Sequence, residues 1–222
     1  MVTANWPIVL VVDGAEPISP GLVGRVGGAC DRAESGGGRI LLRLSGSPAG
    51  DWLTGVTVGL VSKWERALRR LERVPAATVA VVDGECGGVA LDALLAADFR
   101  IGTPSVRLRV PVATGATWPG MAVYRLAGYG PAIGAVRRAV LFGEPIAADE
   151  ALRLNLLDRV TADAESALAE FAGATAGLTG AELAVVRQLM FDAASTEFEA
   201  ALGAHLAACD RALRRSPGWS PA

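Results

Sequence analysis

The chain has 222 residues and a mass of 22.8 kDa, which suits one α/β domain, or a domain with a helical tail, and excludes two full catalytic domains. Its formal net charge of −2 and pI near 5.5 exclude a general nucleic-acid binder, because that function needs a basic surface to neutralise phosphates. Hydrophobic residues make up 51% of the chain. Gly, Pro or charged residues nevertheless interrupt every apolar run before the roughly eighteen residues that a membrane span needs, so we expect no membrane partner.

Cysteine usage and the N-terminal segment predict a cytoplasmic protein. The chain has three cysteines, an odd number, and they are far apart: Cys30, Cys86 and Cys209. They lack the closely spaced Cys or His pairs of metal sites, so we expect a reduced protein without a metal. The segment MVTANWPIVLVVDG lacks the positive region and cleavage site of a signal peptide. An apolar chain with only 5% aromatic residues also indicates subunit contacts built from Ala, Val and Leu, and hence an oligomer.

The first third of the sequence alternates strand and helix patterns. A continuous apolar run predicts a first strand that is buried on both faces and ends at Asp13-Gly14. Ser19 and Pro20 have the residue types of a helix N-terminus, and Gly36 follows the last turn of that helix. The amphipathic helix that ends before Pro75 should turn its charges to solvent. The predicted elements are strand 8–12, helix 20–34, strand 39–44, loop 45–51 and helix 56–73.

The segment 79–101, VAVVDGECGGVALDALLAADFRI, predicts a strand, a tight glycine turn and a buried helix. Glycines adopt backbone angles closed to other residues, and the first amides of the helix have no intrahelical partner. Two such amides, together with the helix dipole, suit the oxygen of an enolate or a tetrahedral intermediate. Asp92 is the one carboxylate in the apolar run, about one helical turn beyond Gly88, where its side chain reaches a group held by those amides.

This segment resembles the second oxyanion-hole motif of the crotonase (enoyl-CoA hydratase and isomerase) family, where an Asn-Gly turn, a glycine cluster and a glutamate precede an apolar helix. Asp92 takes the place of the glutamate, and the resemblance assigns the second oxyanion amide to Val89 or to Gly88. Residues 119–160, which include AVRRAVLFGEPIAADEALRLNLLDRV, resemble the family's later helix, Gly-x-x-Ile-x-Ala turn, short helix and strand. The resemblance implies a crotonase-like ββα superhelix of the α/β class.

The same resemblance divides the chain into a crotonase-like core over 1–160 and a C-terminal helical region over 161–222. The second part is rich in alanine, helical in period from 163 to 215 and broken near 177–180. Residues 216–222 are typical of a loose tail. In crotonases such a helical region packs over the site and against neighbouring subunits, so a homotrimer or a hexamer of two trimers is expected.

Two further positions are compared with the family. Ala49-Gly50-Asp51 resembles a shortened form of the loop that carries the first oxyanion donor, with Gly50 or Asp51 supplying the amide; a plain surface turn is the alternative. Pro111 and Pro119-Gly120 keep the spacing of the loop in which hydratases place their second catalytic glutamate, and here Val112 occupies that position. Valine cannot exchange a proton, so the two-carboxylate arrangement that activates water is absent.

Several residues near these motifs have two interpretations. Asp92 is either a proton-transfer group or a structural carboxylate that caps the glycine-turn amides or pairs with an arginine. Cys86 is either a thiolate activated at a helix N-terminus or an inert thiol. Glu85 either faces the ligand or is exposed, and His205 is typical of a helix surface or interface. Larger side chains line an acyl pocket or fill the core: Trp118, Met121 and Tyr124.

The resemblance implies an acyl-CoA thioester ligand and no cofactor other than the coenzyme A of the substrate. The shortened length and altered motifs are similar to the small, DpgB-type crotonase homologues of dihydroxyphenylglycine biosynthesis. Such a protein works in secondary metabolism beside other crotonase homologues and a type III polyketide synthase, as an enoyl-CoA hydratase or dehydratase that helps form 3,5-dihydroxyphenylacetyl-CoA. The alternative is a non-catalytic partner protein that kept the fold and lost the chemistry.

Overall fold

The computed structural model describes residues 6–128, 133–178 and 180–215. In this part of the chain the strands are β1 (Ile8–Asp13), β2 (Arg39–Gly46), β3 (Ala77–Gly87), β4 (Phe99–Gly102), β5 (Arg107–Arg109), β6 (Val112–Ala113), β7 (Ala116–Thr117), β8 (Ile146–Ala147) and β9 (Arg159–Val160). The helices are α1 (Pro20–Gly36), α2 (Val58–Leu71), α3 (Gly88–Leu95), α4 (Met121–Ala127), α5 (Ile133–Phe142), α6 (Ala148–Arg153), α7 (Ala164–Ala174), α8 (Gly180–Ala193) and α9 (Phe198–Arg214).

A parallel sheet in the order β1-β2-β3-β4-β9 organises the fold. The strand β5 pairs in parallel with the end of β3 and antiparallel with β8, whereas β6 and β7 form a separate hairpin. Helices α1, α2 and α3 cover one face of the sheet and enclose the main core with it. This arrangement confirms the predicted α/β class with a helical C-terminal region.

Local signals in the sequence position the first two helices as expected. The hydroxyl of Ser19 accepts a hydrogen bond from the Leu22 amide at 3.1 Å, and Pro20 occupies the first turn of α1. Thr57 caps α2 in the same way through the Leu60 amide at 3.2 Å. These caps satisfy amides that the helices leave free, which is why both helices begin at these residues.

The prediction that the first strand is buried on both faces is wrong. Side chains of β1 alternate, so that Ile8, Leu10 and Val12 enter the core whereas Val9 and Val11 are 45% and 61% exposed. On that second face α7 covers the centre of the sheet, around Val79 and Ile101, but not its β1 edge. The apolar run correctly predicts a strand, but whether the side chains of β1 are buried depends on what packs against the edge of the sheet.

The predicted turn at Asp83-Gly84 does not end β3. The strand passes through Gly84, which has a φ of 64°, and continues to Gly87, because its last residues pair with β5. Asp83 accepts hydrogen bonds from the hydroxyls of Thr103 and Ser105 at 2.5 and 2.6 Å, and these lower its pKa. Helix α3 therefore begins at Gly88, directly at the end of one long strand.

Arg187 anchors the C-terminal helices to the sheet. Its guanidinium on α8 is 4% exposed and donates to the carbonyl oxygens of Val74 at 2.7 Å and Ala76 at 3.0 Å. The same group donates to Oδ2 of Asp98 at 2.7 Å, and that oxygen also accepts from the amide and hydroxyl of Thr78. Asp98, which follows α3, therefore has a structural role.

The remaining sequence expectations concern the ends of the chain and its possible ligands. Part of the predicted family motif, residues 129–131, the start of the N-terminal segment and the tail at 216–222 lie outside the described residues. Among the described helices, none is both long and apolar enough to cross a membrane. The described part of the chain also contains no group of three or more metal-ligating side chains.

Candidate active site

The loops that follow β1, β2 and β3 meet at the carboxyl end of the parallel sheet. A Cβ atom on Gly14 would collide with the carbonyl oxygens of Gly46 and Gly87, so these three segments touch through their backbones. In open α/β sheets ligands bind outside the carboxyl ends of the strands. We therefore place the candidate active site at this meeting point, which includes the start of α3 and the loop after β2.

The start of α3 has the features of an oxyanion site. Its N-cap residue, Gly87, has no side chain to bond the first amides of the helix, among them the amides of Gly88 and Val89. Gly88 has a φ of 53°, and a Cβ atom added there would lie 2.5 Å from Cγ of Pro48. Because Pro48 belongs to the loop after β2, that loop packs directly against the amides at the start of α3.

Gly50 and Asp51 follow Pro48 in the exposed part of the same loop. Gly50 has a φ of 64°, and no atom lies within 4 Å of the position that a Cβ would take. The carboxylate of Asp51 accepts a hydrogen bond from the Thr54 hydroxyl at 2.7 Å. The structure thus packs Pro48 of this loop against Gly88 at the start of α3, and Gly50 and Asp51 follow two and three residues further along the loop.

Replacing Gly88 with alanine tests how closely these two segments must pack. Gly84 is the matched control, since it also has a positive φ, of 64°, but has no atom within 4 Å of the added Cβ. Both alanines should cost about 1–2 kcal/mol for left-handed backbone strain. We expect Gly88→Ala to lower the free energy of unfolding further, and to displace the loop, because Pro48 must move. Urea denaturation of both variants checks this; equal losses would contradict the packing of Pro48 on α3.

Asp92 lies one turn along α3 and is 8% exposed. Its Oδ2 accepts a hydrogen bond from Nε1 of Trp64, a fully buried residue of α2, at 2.9 Å. Burial raises the pKa of Asp92 to about 7, whereas the Trp64 indole and the backbone amide of Ala122 at the start of α4 act to lower it. A carboxyl group with such a pKa can accept and return a proton near neutral pH.

The hydrogen bond that Asp92 accepts comes from Trp64 of α2, and no side chain caps the first amides of α3. A buried carboxylate with such a donor is held in position whether or not it reacts. Trp64 could not be identified as the partner of Asp92 from the sequence, because a tryptophan on an amphipathic helix is equally consistent with core packing.

Two charged side chains, Glu65 and Arg125, lie near Asp92. Arg125 of α4 donates to Glu65 of α2 at 3.1 Å and to Glu72, which follows α2, at 2.6 Å, and these two glutamates are only 16% and 18% exposed. Burial raises the pKa of Glu65. The expectation that the charges of this helix face solvent is therefore wrong here, because Arg125 of α4 pairs with both glutamates.

Val112 belongs to the β6-β7 hairpin and is 56% exposed. It pairs with Thr117, and the hairpin leads through Pro119 into α4. Near this hairpin the indole rings of Trp118 and Trp52 meet edge to face, with centroids 5.5 Å apart. Since Trp52 directly follows Asp51, the contact connects the hairpin to the candidate oxyanion loop.

The other residues considered from the sequence have structural or surface positions. Cys86 is fully buried, and burial, followed by the charge of Asp92, raises its pKa, which favours the interpretation of an inert thiol. Glu85 pairs with Arg109 at 2.5 Å on the surface. His205 is exposed on α9. Tyr124 is 72% exposed and therefore does not fill the core.

Comparisons with known proteins agree with this architecture, although no protein-family model matches the chain. An enoyl-CoA hydratase/isomerase from Marinobacter aquaeolei superposes with a TM-score of 0.80 at 15% identity, over 95% of this chain and 89% of that chain. An enoyl-CoA hydratase from a Polaromonas species has a TM-score of 0.80 at 18% identity, with the same coverage of 95% and 89%. These two likenesses show the fold.

A sequence relative shows the family. A protein of Amycolatopsis orientalis named enoyl-CoA-hydratase is 55% identical to the chain over 213 residues, which cover 95% of this chain and 98% of that protein. At that identity and coverage, and with a fold common to enoyl-CoA hydratases, the chain belongs to the crotonase (enoyl-CoA hydratase/isomerase) family.

Proposed function

We propose that the chain is a cytoplasmic, acyl-CoA thioester-binding lyase of the hydratase/dehydratase type that acts in secondary metabolism. In this proposal it assists a type III polyketide synthase, beside other crotonase homologues, in forming 3,5-dihydroxyphenylacetyl-CoA. The observation that carries the proposal is a single buried carboxylate, Asp92, one turn beyond the free amides of α3, with Val112 in place of a second carboxylate. The resemblance to the small crotonase homologues of dihydroxyphenylglycine biosynthesis supplies the pathway.

The thioester carbonyl oxygen would lie between the amide of Gly50 or Asp51 and that of Val89 or Gly88. Pro48 supports this arrangement, since its contact with Gly88 holds the loop and the helix together. Two amides aimed at an oxygen that gains negative charge stabilise an enolate more than the neutral carbonyl, and this difference accelerates the reaction. Coenzyme A enters as part of the substrate, so the proposal requires no separate cofactor.

The proposed step is loss of water from a β-hydroxy polyketide thioester. Asp92 removes the α-proton, and the electron pair of the broken C–H bond forms an enolate whose oxygen the two amides hold. The enolate then expels the β-hydroxyl as a carbon–carbon double bond forms, and the protonated Asp92 returns its proton to the leaving oxygen, so that water departs and the carboxylate is restored. Aromatisation of the product favours this direction, and one base suffices.

The activity is expected to depend on pH through Asp92. A base works only when ionised, and burial raises the pKa of this carboxyl to about 7. The initial rate should therefore rise as the pH rises through about 7, level off above it, and fall roughly tenfold per unit below pH 6. A pH profile of kcat/KM checks this expectation; a rate that stays constant from pH 5 to 8 would contradict a base with this pKa.

The oligomer is part of the proposal. Helix α9 contains no buried residue among those the structure describes, and α8 contains only Arg187. Apolar side chains on the two helices are widely exposed: Val186 63%, Met190 63%, Phe198 75% and Leu206 59%. Exposed apolar helix faces of this extent mark interaction surfaces. We propose that copies of the chain cover them in a homotrimer or a hexamer.

Leu206→Glu is expected to dissociate this oligomer, because it places a charge on the proposed apolar interface. Val58→Glu is the control, since Val58 is 87% exposed at the start of α2 and lies outside the C-terminal helices. Light scattering should give a trimer or hexamer for the wild type and the control, and a monomer for Leu206→Glu. A monomeric wild type would contradict the proposed assembly.

One observation favours a second function, that of a non-catalytic partner of the synthase. Trp64 already holds Asp92, as it would hold a structural carboxylate, and Val112 removes the second proton-transfer group. A scaffold of this kind would still bind its partner after the carboxyl charge is removed. Activity of the Asp92→Asn variant separates the two functions.

A further inference from the structure

We propose that Trp64 is a positioning residue for Asp92, whose indole N–H holds Oδ2 of the carboxylate so that Oδ1 is presented to the substrate in one orientation. This inference rests on the proposed function, in which Asp92 is the base. It assigns to α2, a helix outside the oxyanion motifs, a specific part in the chemistry. The observation behind it is the buried hydrogen bond between Nε1 of Trp64 and Oδ2 of Asp92, which is 2.9 Å long.

Packing alone does not require a tryptophan at this position. The other buried residues of α2 are Leu68 and Leu71, which fill the core without any polar atom. Trp64 fills the core too, at 0% exposure, but it also brings a hydrogen-bond donor to a carboxylate that is 8% exposed. An indole N–H only donates, so it stabilises the ionised carboxylate and cannot accept from the protonated acid. The contact therefore favours the reactive form of Asp92.

The charged neighbours of Asp92 do not by themselves offset the effect of burial on its pKa, so the hydrogen bond from Trp64 matters. Burial raises its pKa, and Glu65 on α2 raises it further, whereas Arg125 on α4 lowers it. Arg125 is already paired with Glu65 and Glu72, so its charge is divided among three carboxylates. Cys86 on β3 is neutral, because burial raises the pKa of its thiol. Among the described groups, the Trp64 hydrogen bond is the strongest contribution that keeps Asp92 ionised.

The test removes the donor and keeps the ring. Trp64 is replaced by benzothienylalanine, an isostere in which sulfur takes the place of the indole N–H, and by phenylalanine in a second variant. The pKa of Asp92 is read from carbon-13 NMR of protein labelled at the aspartate carboxyls, with Asp92→Asn to assign the resonance. We expect both Trp64 variants to raise this pKa by about one to two units, because the charged form loses a hydrogen bond.

Activity provides the second readout. If Trp64 positions the base, the rising limb of the kcat/KM profile should move to higher pH by the same amount as the NMR pKa, and kcat should fall while KM stays nearly constant. Trp6→Phe is the matched control. Nε1 of Trp6 is buried without a partner in the described part of the chain, and its ring stacks on Phe171 across the sheet from Asp92. Trp6→Phe should change neither the pKa of Asp92 nor the pH at which kcat/KM rises.

The outcomes separate this inference from the function on which it rests. Suppose that the isosteric variant changes neither the pKa of Asp92 nor the pH profile of kcat/KM, while Asp92→Asn is inactive. That result would overturn the role of Trp64 and leave Asp92 as the base. A shifted carboxyl pKa with full activity in Asp92→Asn would instead overturn the proposed base, and the positioning role with it. Because the isostere leaves no cavity, misfolding of the phenylalanine variant does not prevent the test.

Discussion

Replacing Asp92 with asparagine is expected to abolish the stimulation of polyketide product formation while leaving the oligomer intact. Asparagine keeps the shape of the side chain but cannot remove a proton, and loss of a general base typically lowers a rate by about 10²–10⁴-fold. Asp92 is far from the C-terminal helices α8 and α9 in the sequence, and its contacts are with α2 and α4. The product, 3,5-dihydroxyphenylacetyl-CoA, is measured by chromatography after incubating the synthase with malonyl-CoA and each variant.

Asp149→Asn is the matched control for this assay, because Asp149 is exposed in the first turn of α6 and the charge change is the same. Light scattering of both variants shows whether the oligomer persists. Wild-type product levels with Asp92→Asn would make the carboxylate structural and favour the scaffold function. Hydration of crotonyl-CoA should be slow or undetectable even in the wild type, since Asp92 is one methylene, about 1.5 Å, shorter than glutamate and acts alone.

The largest expected effect on stability comes from Asp98→Ala. This change leaves the guanidinium of Arg187, which is 4% exposed, without the carboxylate 2.7 Å away, and it removes the acceptor of the Thr78 amide and hydroxyl. Breaking a buried pair by removing one partner costs about 3–5 kcal/mol. Asp98 is itself 30% exposed, so we expect a loss near the lower end, about 3 kcal/mol, in the free energy of unfolding measured with urea.

Glu144→Ala provides the comparison, because Glu144 pairs with Arg138 on the surface, where the two side chains are 54% and 59% exposed. A surface pair of this kind contributes at most about 1 kcal/mol. Losses of equal size in the two variants would show that Arg187 is not the anchor of the C-terminal helices. Proteolysis should also cleave α8 and α9 first in Asp98→Ala, since those helices lose their main polar attachment to the sheet.

Much of the fold could be predicted because its signals are local. Ser19 and Pro20 mark the start of α1 in both sequence and structure, and Gly143, with a φ of 69°, ends α5 at the expected Gly-x-x-Ile-x-Ala turn. Features set by distant contacts were not accessible. The extension of β3 to Gly87 depends on β5, and the exposure of Val11 depends on how far α7 reaches across the sheet.

In the candidate site, too, the residues that are close together in the sequence could be predicted and their distant partners could not. The resemblance located Asp92 and the glycines of the oxyanion motif, because these residues are close together in sequence. Their partners come from elsewhere: Trp64 is 28 residues away from Asp92, and Arg125 reaches Glu65 from a helix 60 residues further on. A tryptophan or a glutamate on an amphipathic helix has no periodic signal that identifies a buried polar partner. The two interpretations of Cys86 could not be separated from the sequence, because neighbours that are distant in the chain bury its thiol.

The central proposal is that the amides at the start of α3 and in the loop after β2 bind a thioester carbonyl, and this binding can be measured directly. Vibrational difference spectroscopy of 3,5-dihydroxyphenylacetyl-CoA, labelled with carbon-13 at the thioester carbonyl, measures the polarisation of that bond on binding. We expect a carbonyl stretch at lower frequency with the wild type, and a smaller shift with Gly88→Ala, whose added Cβ would lie 2.5 Å from Cγ of Pro48. Bound ligand with an unshifted carbonyl band, or no binding heat in calorimetry, would contradict it.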